Sequence, residues 1–325
     1  MLELEGPGYE ATALRASDSF RRDVLRGLAA RPRTIPPRWF YDRRGSELFE
    51  AITRLREYYP TRTERLILAE RAAEIARCVG GGRVVVEFGS GSSTKTPLLL
   101  AAIEPAAYVP VDISGDFLRE SAAALAARFP SLAVHPFEAD FTRPIALPAL
   151  GRSRRLGFFP GSTIGNLLPA AAVDLLRQMG ATLGAEAQLL IGIDRIKDPA
   201  LLVPAYDDAQ GVTAAFNLNL LHRINRELDG DVPVDAFRHL ARWNDPESRI
   251  EMHLQAVRDA AFTVAGQRFT IPRGETIHTE NSVKYGARDA RVLLRAGGWS
   301  PVAEWTDPQE LFAVILARIA PPVPG

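Results

Sequence analysis

The middle of the chain alternates between short apolar runs and longer amphipathic segments. The short runs are unbroken and rich in β-branched residues, which is typical of strands buried on both faces of a parallel sheet. The spacers have the length of crossover helices, so the pattern predicts βαβ units around one sheet. The predicted strands are 83–88, 107–111, 132–137, 156–160 and 188–193, and the predicted helices are 63–79, 96–103, 116–129 and 170–179.

The alternation stops near Lys197, where a different pattern begins. Residues 199–228 have apolar positions at helical spacing, whereas 250–257 and 262–271 have the composition of extended segments. Two strands near 299–305 and 310–318 then predict a β-hairpin at the edge of the sheet. The predicted fold is α/β, with a Rossmann-like sheet covered by helices on both faces and a smaller, discontinuous α+β domain. We assign 61–196 and 286–325 to the sheet domain, and 1–60 and 197–285 to the smaller domain.

Composition excludes several classes of function. Acidic and basic residues balance at a formal net charge of +0, so no basic surface predicts binding to nucleic acid or to an anionic membrane. The single cysteine, Cys78, and the scattered histidines do not form a metal-binding motif. The sequence shows no apolar stretch long enough to span a membrane and no leader segment. We therefore predict a cytoplasmic protein without a metal, and a monomer.

One glycine-rich loop carries the first candidate chemistry. The strand that ends at Glu87 and Phe88 runs into Gly89 and Gly91, which permit a tight turn and a close backbone approach to a ligand. Residues 92–94 (Ser, Ser, Thr) are natural N-caps for the helix that follows. A dinucleotide fingerprint needs a third glycine where this chain has Thr94. An acid directly before a Gly-x-Gly turn instead resembles the first motif of class I methyltransferases, which bind S-adenosylmethionine.

Acidic residues after the next two strands support the same ligand. Asp112 follows the loop by about 20 residues, where a carboxylate can accept hydrogen bonds from both ribose hydroxyls. Asp140 could accept from the adenine amino group, and Phe141 could flank the ring. Lys95 lies on the helix beside the loop, in a chain whose only lysines are Lys95, Lys197 and Lys284. On the residues alone, a dinucleotide and a purely structural turn remain alternatives.

Several further stretches, in a fixed order, resemble the histidine-specific Nα-methyltransferases of ergothioneine biosynthesis. Each stretch alone has low specificity, but together they extend from about Ile35 to the C-terminus. The family methylates the α-amino group of histidine three times to hercynine, with S-adenosylmethionine as donor. The stretches are 36–42 (PPRWFYD), 45–50 (GSELFE), 57–64 (EYYPTRTE), 87–96 (EFGSGSSTKT), 160–166 (PGSTIGN), 216–221 (FNLNLL), 249–254 (RIEMHL) and 277–285 (IHTENSVKY).

The resemblance implies a role for individual side chains. It implies cofactor contacts for Gly89, Lys95, Asp112, Asp140 and Phe141, to which the loop analysis adds Glu87 and Gly91. It implies that Asn166 and Tyr206 hold the amino-acid end of the substrate and that Tyr58, Glu280 and Ser282 surround the imidazole. Pocket-lining positions are Tyr41, Phe216 and Met252.

Elementary chemistry agrees with parts of this assignment. Glu280 and Ser282 are two residues apart on an extended segment, so they point the same way and can hydrogen-bond imidazole nitrogens. Asn166 ends a predicted strand beside the expected donor methyl, and we take it as catalytic. Tyr41, the second catalytic candidate, could stabilise the methylated nitrogen cation with Phe216 by about 0.5–2 kcal/mol.

Other functions remain open at this level. A related enzyme could methylate a tyrosine or tryptophan derivative, although an indole or phenol has less use for the polar Glu280–Ser282 pair. A nicotinamide-dependent dehydrogenase is disfavoured by Thr94. A non-catalytic S-adenosylmethionine sensor would be distinguished by the absence of turnover. The expected partners are L-histidine and its mono- and dimethylated forms.

Overall fold

The computed structural model describes residues 7–91, 95–148, 151 and 153–320. Its ten α-helices and fourteen strands within these ranges are numbered in chain order. The helices are α1 Pro7–Ala29, α2 Arg43–Ile52, α3 Tyr59–Glu70, α4 Ala72–Val79, α5 Thr96–Ile103, α6 Gly115–Arg128, α7 Pro169–Leu183, α8 Pro199–Leu202, α9 Val212–Glu227 and α10 Ala287–Ala296. The strands are β1 Arg33–Thr34, β2 Val84–Phe88, β3 Ala107–Asp112, β4 Ala133–Val134, β5 Phe137–Glu138, β6 Arg155–Phe159, β7 Gln188–Asp194, β8 Phe237–Asn244, β9 Arg249–Ala256, β10 Ala260–Val264, β11 Gln267–Ile271, β12 Thr276–Val283, β13 Trp299–Thr306 and β14 Phe312–Ile319.

The chain divides into two compact units. The sheet unit comprises Glu50–Ala205, Trp243–Ile250 and the segment from Asn281 onward. The smaller unit comprises the segment that ends at Phe49, together with Tyr206–Arg242 and Glu251–Glu280. Both units are therefore built from separate stretches of chain, and the domain boundaries proposed from the sequence remain a prediction.

An eight-stranded sheet forms the centre of the sheet unit. Its order is β13-β14-β7-β6-β2-β3-β4, with β5 also paired to β3. The pairs among β2 to β7 are parallel, whereas β14 runs antiparallel to β7 and forms the predicted edge hairpin with β13. This is the strand order of a class I methyltransferase sheet, so the predicted fold class is confirmed.

Alternating side chains of β2 explain why both faces of the sheet are covered. Val84, Val86 and Phe88 pack into one hydrophobic cluster, and Val85 packs into another. The first cluster includes residues of α7 and α10, and the second includes residues of α3, α4 and α5. Burial on both faces accounts for the unbroken apolar runs in the sequence.

The smaller unit is organised around a four-stranded sheet of order β1-β12-β9-β8. The short β1 pairs in parallel with β12 through Arg33 and Ile277. A separate antiparallel hairpin is formed by β10 and β11. The helices α1, α2 and α9 and a 3₁₀ helix at Pro37–Phe40 complete the elements of the smaller unit discussed below.

Several predicted elements differ from the structure, mainly at breaks that periodicity does not reveal. The predicted helix 63–79 is two helices separated at Arg71, and α3 begins at Tyr59 because Pro60 is tolerated in a first helical turn. The predicted strand 132–137 is split into β4 and β5. Residues 199–228 contain α8, a 3₁₀ turn and α9, since Gly211 at φ 72° interrupts them.

Two errors concern strands of the second half of the chain. The segment 262–271 is not one strand, because it turns at Ala265 and Gly266, both of which have positive φ. Strand β8 was not predicted. It is only partly buried, so its sequence is polar and rich in arginine and lacks the apolar run of a buried strand. The caps predicted at residues 92–94 lie outside the described residues.

Candidate active site

The glycine turn after β2 brings two of the predicted cofactor residues together. Gly89 has φ +70°, and a Cβ built on it would lie 3.2 Å from the ring of Phe141. The Phe141 ring packs edge-on against Phe159, with ring centroids 5.7 Å apart. The turn therefore places bare backbone beside an aromatic ring, which suits a flat ligand such as adenosine. Gly91 also has positive φ, at +48°.

Asp112 holds the same turn from the end of β3. Its carboxylate accepts hydrogen bonds from the backbone N–H of Gly91 at 2.9 Å and of Ser114 at 2.9 Å. Asp140 accepts from the backbone N–H and the hydroxyl of Thr142. Both carboxylates lie after neighbouring parallel strands, where ligands bind in open α/β sheets. The positions of Asp112 and Asp140 are therefore compatible with a nucleoside that binds at this edge of the sheet.

Glu87 lies beneath the turn and is 1% exposed. Its Oε2 accepts hydrogen bonds from the hydroxyls of Thr96 and Tyr108, each at 2.6 Å. Burial raises the pKa of Glu87 to about 7, although both hydrogen bonds oppose the rise. The carboxyl group therefore ties β2 to the first turn of α5 and to β3. Its predicted contact with the cofactor remains a prediction.

Lys95 is positioned by a carboxylate that the sequence analysis did not single out. Its Nζ lies 2.5 Å from Oε2 of Glu64 on α3, and the Glu64 side chain is 1% exposed. The same oxygen accepts a hydrogen bond of 2.8 Å from the backbone N–H of Gly161. Glu64 thus links Lys95 to the loop that follows β6. A charge that is buried and paired in this way holds the lysine in one place.

We expect Gly89→Ala to weaken binding of S-adenosylmethionine at least tenfold. An alanine at φ +70° costs about 1–2 kcal/mol of backbone strain, and its methyl group would press on Phe141. Calorimetric titration measures the Kd. The control is Gly184→Ala, which has φ +93° but no atom within 4 Å of the added Cβ. Equal affinity in Gly89→Ala and wild-type protein would contradict the assignment.

Three predicted substrate residues belong to the sheet unit. Tyr58 is 9% exposed and immediately precedes α3. The prediction that Asn166 ends a strand is wrong, because β6 ends at Phe159 and the chain turns at Ser162, with φ 57°, into the 3₁₀ helix Thr163–Asn166. The backbone of Gly165 packs closely on that of Val283, because a Cβ on this glycine would lie 2.7 Å from the Val283 carbonyl oxygen. The neighbouring residues Asn166 and Ser282 are thereby brought into one region of this unit.

A buried charge cluster, formed by Tyr59, Asp194, Lys197 and Lys284, lies at the end of β7. The Tyr59 hydroxyl is 2.8 Å from both carboxylate oxygens of Asp194, and each lysine Nζ is 2.6 Å from one of them. Burial raises the pKa of Asp194, but the attraction of Lys284 and Lys197 outweighs it and holds that pKa below its ordinary value. Lys284 also donates to Ser282 at 2.8 Å.

Aromatic residues cluster in the smaller unit around two predicted pocket positions. The rings of Tyr41 and Phe216 meet edge-on with centroids 5.8 Å apart. Phe40 and Phe49 also contact the Phe216 ring, at centroid distances of 4.6 and 6.0 Å. The structure thus brings Tyr41 and Phe216 together, as the cation–π hypothesis requires. Phe40 and Phe49 were not identified from the sequence.

Tyr206 and Met252 are connected by a polar network in the smaller unit. His239 Nε2 lies 2.8 Å from the Tyr206 carbonyl oxygen, and His239 Nδ1 lies 2.9 Å from the Asn217 amide. Because a carbonyl can only accept, the neutral ring carries its proton on Nε2. The Thr279 hydroxyl lies within hydrogen-bonding distance of the Asn217 side-chain oxygen and of the Met252 carbonyl. The network fixes the backbone around both predicted residues.

Glu280 follows Thr279 on β12 and is 8% exposed. Its carbonyl oxygen accepts from His278 Nε2 at 2.9 Å, and the His278 ring stacks on that of His253 at 4.9 Å. Burial lowers the pKa of His253 to about 4, so its ring is neutral at pH 7. These contacts hold the backbone of β12 at Glu280, within the smaller unit.

Two of the residues missed by sequence reasoning, Lys197 and Lys284, have a recognisable signal in the sequence. All three lysines of this arginine-rich chain are ion-paired with a buried carboxylate: Lys95 with Glu64, and Lys197 and Lys284 with Asp194. The lysine ammonium is a compact point charge with three donors, so it can contact a carboxylate and a second acceptor at once. The rarity of lysine pointed to Lys95 but applied equally to the other two. His239 and Asn217 carried no comparable signal.

Among the residues that the structure describes, no group of histidine, cysteine, aspartate or glutamate side chains could hold a metal ion. A search of the described helices for one long and apolar enough to cross a membrane found none.

The profile of the family described as "Histidine-specific methyltransferase, SAM-dependent" matches residues 20–319. The chain is 44% identical to the histidine N-alpha-methyltransferase of Mycolicibacterium smegmatis, over 93% of this chain and 95% of that protein. It is 42% identical to that of Mycobacterium tuberculosis, over 92% and 94%. It is 30% identical to ergothioneine biosynthesis protein 1 of Neurospora crassa, over 88% of this chain and 33% of that protein.

Proposed function

The chain belongs to the histidine-specific, S-adenosylmethionine-dependent methyltransferases, and from that membership we propose that it trimethylates the α-amino group of L-histidine. The product is hercynine, and the reaction is the first step of ergothioneine biosynthesis. The observation that carries the proposal is the family match over residues 20–319, joined to 44% identity with a histidine N-alpha-methyltransferase. The geometry of the sheet unit supports it, since Gly89 lies beside Phe141 and the packing of Gly165 on Val283 brings Asn166 and Ser282 into one region.

The donor end is assigned to the turn after β2. Gly89 and Phe141 receive the adenine side, while Asp112 accepts from the ribose hydroxyls. Lys95, fixed by Glu64, completes the donor contacts. Bound there, S-adenosylmethionine supplies an activated methyl group on a sulfonium.

The acceptor end is assigned to polar side chains that the family resemblance singled out. Asn166 and Tyr206 hold the amino-acid end of histidine, and Tyr58, Glu280 and Ser282 recognise the ring. Recognition through buried polar groups rejects analogues that lack a partner by about 10⁴–10⁵. Glu280 and Ser282 are 8% and 4% exposed, so both are buried polar groups of the kind on which such recognition depends.

The chain's contribution to chemistry is orientation rather than nucleophilic catalysis. The α-amino nitrogen must be neutral, in line with the methyl group and close to it. Holding two reactants in this way supplies about 7–11 kcal/mol. The amine first loses its proton to water, and Asn166 is assigned to direct the nitrogen lone pair that this leaves. The aromatic faces of Tyr41 and Phe216 stabilise the cation that successive methylations create.

Mass spectrometry of the products tests the proposal. Purified protein is incubated with S-adenosylmethionine and histidine, with tyrosine and tryptophan in parallel reactions. We expect three methyl groups on histidine alone. Methylation of another amino acid in preference would redirect the proposal to a related N-methyltransferase. Donor binding without any turnover would indicate a sensor.

We expect Glu280→Gln to raise the KM for histidine about 10- to 100-fold. The substitution weakens a charge-assisted hydrogen bond that contributes about 1.5–3 kcal/mol. Steady-state kinetics at saturating donor measures the change, and the Kd for S-adenosylmethionine should not move. Glu275→Gln is the matched control, because Glu275 pairs instead with Arg33 at 2.8 Å. Normal histidine use by Glu280→Gln would remove this residue from the acceptor site.

A further inference from the structure

In the charge cluster at the end of β7, two ammonium groups contact one carboxylate. Lys197 lies 2.6 Å from Oδ1 of Asp194, and Lys284 lies 2.6 Å from Oδ2. The side chains of Asp194, Lys197 and Lys284 are 1%, 7% and 0% exposed. Two buried ammonium groups on one carboxylate are costly, since each charge has lost its hydration.

The two lysines differ in their remaining contacts. Lys197 donates to the Tyr59 hydroxyl at 2.8 Å and to the Arg195 carbonyl at 2.6 Å, contacts that hold the local chain. Lys284 donates at 2.8 Å to Oγ of Ser282, two residues earlier at the end of β12. Its backbone N–H donates to the Ser248 carbonyl at 2.7 Å, which fixes the register of this segment.

The direction of the Lys284–Ser282 hydrogen bond is chemically determined. An ammonium group has three donors and no acceptor, so Ser282 Oγ is the acceptor in this bond. Acceptance from a cation polarises the serine hydroxyl and strengthens it as a donor. We propose that Lys284 is a positioning residue that makes Ser282 a hydrogen-bond donor to the substrate ring, so that the site selects an unprotonated ring nitrogen.

This inference rests on the proposed function and deepens it to one form of the substrate. The neutral imidazole of histidine has one N–H and one acceptor nitrogen, which accepts from Ser282. An imidazolium has two N–H donors and no acceptor, and it would bring a second cation toward the Lys284 ammonium that contacts Ser282. Phenol, indole and pyrrole rings likewise lack an acceptor ring nitrogen. The selected class is an amino acid whose neutral ring carries a pyridine-like nitrogen.

A pair of matched variants tests the role of Lys284. Lys284→Met and Lys197→Met each leave Asp194 with one ammonium group, so both proteins keep a balanced pair. We expect Lys284→Met to raise the KM for histidine at least tenfold with little change in kcat. A tenfold rise in KM corresponds to about 1.4 kcal/mol of binding. We expect Lys197→Met to change the KM for histidine less than about twofold, because Lys197 does not contact Ser282. Equal changes in KM in both variants would overturn the proposal.

A second comparison separates positioning from a general structural effect. In a Ser282→Ala background, Lys284→Met should have no further effect on the KM for histidine. With an alanine derivative that carries a pyrrole ring, the wild-type and Lys284→Met proteins should perform alike. A persistent penalty in either comparison would contradict the proposal. If Lys284→Met does not fold, the preference for histidine over the pyrrole analogue is compared in wild-type and Ser282→Ala protein. An equal preference in the two proteins would overturn the proposal.

Calorimetric binding of histidine, measured beside turnover, separates this inference from the proposed function. Wild-type protein that binds histidine without methylating it would overturn the function, while the variant series would still report on Ser282. Wild-type protein that methylates histidine, with the same affinity in Lys284→Met, would overturn the inference alone. Protein that binds no histidine would overturn both.

Discussion

Replacement of Asp194 by asparagine should lower the free energy of unfolding by about 3–5 kcal/mol. The neutral amide would leave two ammonium groups in the interior, each now 2.6 Å from a group without charge. Tyr59, which donates to the carboxylate, would also lose its charged acceptor. Urea denaturation at pH 7 measures the difference.

The dependence on pH provides a further check on Asp194. Its pKa is lowered in the folded state, so the stabilisation is present above the unfolded pKa of about 4. It is lost as the pH falls through the folded value, and wild type and Asp194→Asn should then converge. Asp198→Asn is the control, because this exposed residue only caps α8 through the Ala200 N–H. If Asp194→Asn lowers the free energy of unfolding by less than about 1 kcal/mol, the two lysines do not depend on Asp194 for their charge compensation.

In contrast to Asp194→Asn, Glu87→Gln should raise the free energy of unfolding above pH 7, and by a large amount. The pKa of Glu87 is raised to about 7 in the folded protein, chiefly by burial, from an ordinary value of 4.5. Folding therefore favours the protonated carboxyl group, and its ionisation destabilises the native state progressively above pH 4.5 and fully above pH 7. The shift corresponds to about 3 kcal/mol. We expect Glu87→Gln to exceed wild type by about that amount at pH 8 and to match it near pH 5.

Urea denaturation at several pH values tests the Glu87 prediction, with Glu186→Gln as an exposed control. A difference between wild type and Glu87→Gln that is the same at pH 5 and pH 8 would contradict it. The Kd for S-adenosylmethionine should be measured on the same proteins. If Glu87 serves the donor as the motif predicts, the stabilised variant will bind it more weakly, since functional sites often retain groups that destabilise the fold.

Local patterns predicted most of the sheet unit. Helix α5 lies at the predicted residues 96–103, and the predicted strands near β2, β3, β6 and β7 are present with bounds close to those expected. Buried parallel strands leave an unbroken apolar run that needs no knowledge of the neighbours. The smaller unit was predicted less well. Its strand β8 is half-polar, and its hairpin β10–β11 has the composition of one strand.

Some residues of the candidate site could likewise be predicted from local sequence, and others could not. Gly89, Asp112 and Phe141 follow strand ends, so βαβ topology alone predicts that they meet at one edge of the sheet. The acceptor residues came from resemblance to a family, because isolated tyrosines, serines and asparagines carry no pattern of their own. What holds these residues in place, including Glu64 and His239, was not predicted.

The sequence by itself determined the α/β class, the glycine turn after β2 and the family of this protein. These properties are encoded in contiguous residues, whose periodicity and turn chemistry act over a few positions. The tertiary structure alone decided that Lys284 and Tyr59 share Asp194, although 135 residues separate Tyr59 from that carboxylate. Such pairings depend on which strand ends the sheet order brings together, and on burial that makes each unpaired charge costly. Three rare lysines were visible in the sequence, but only the fold showed which carboxylate each one neutralises.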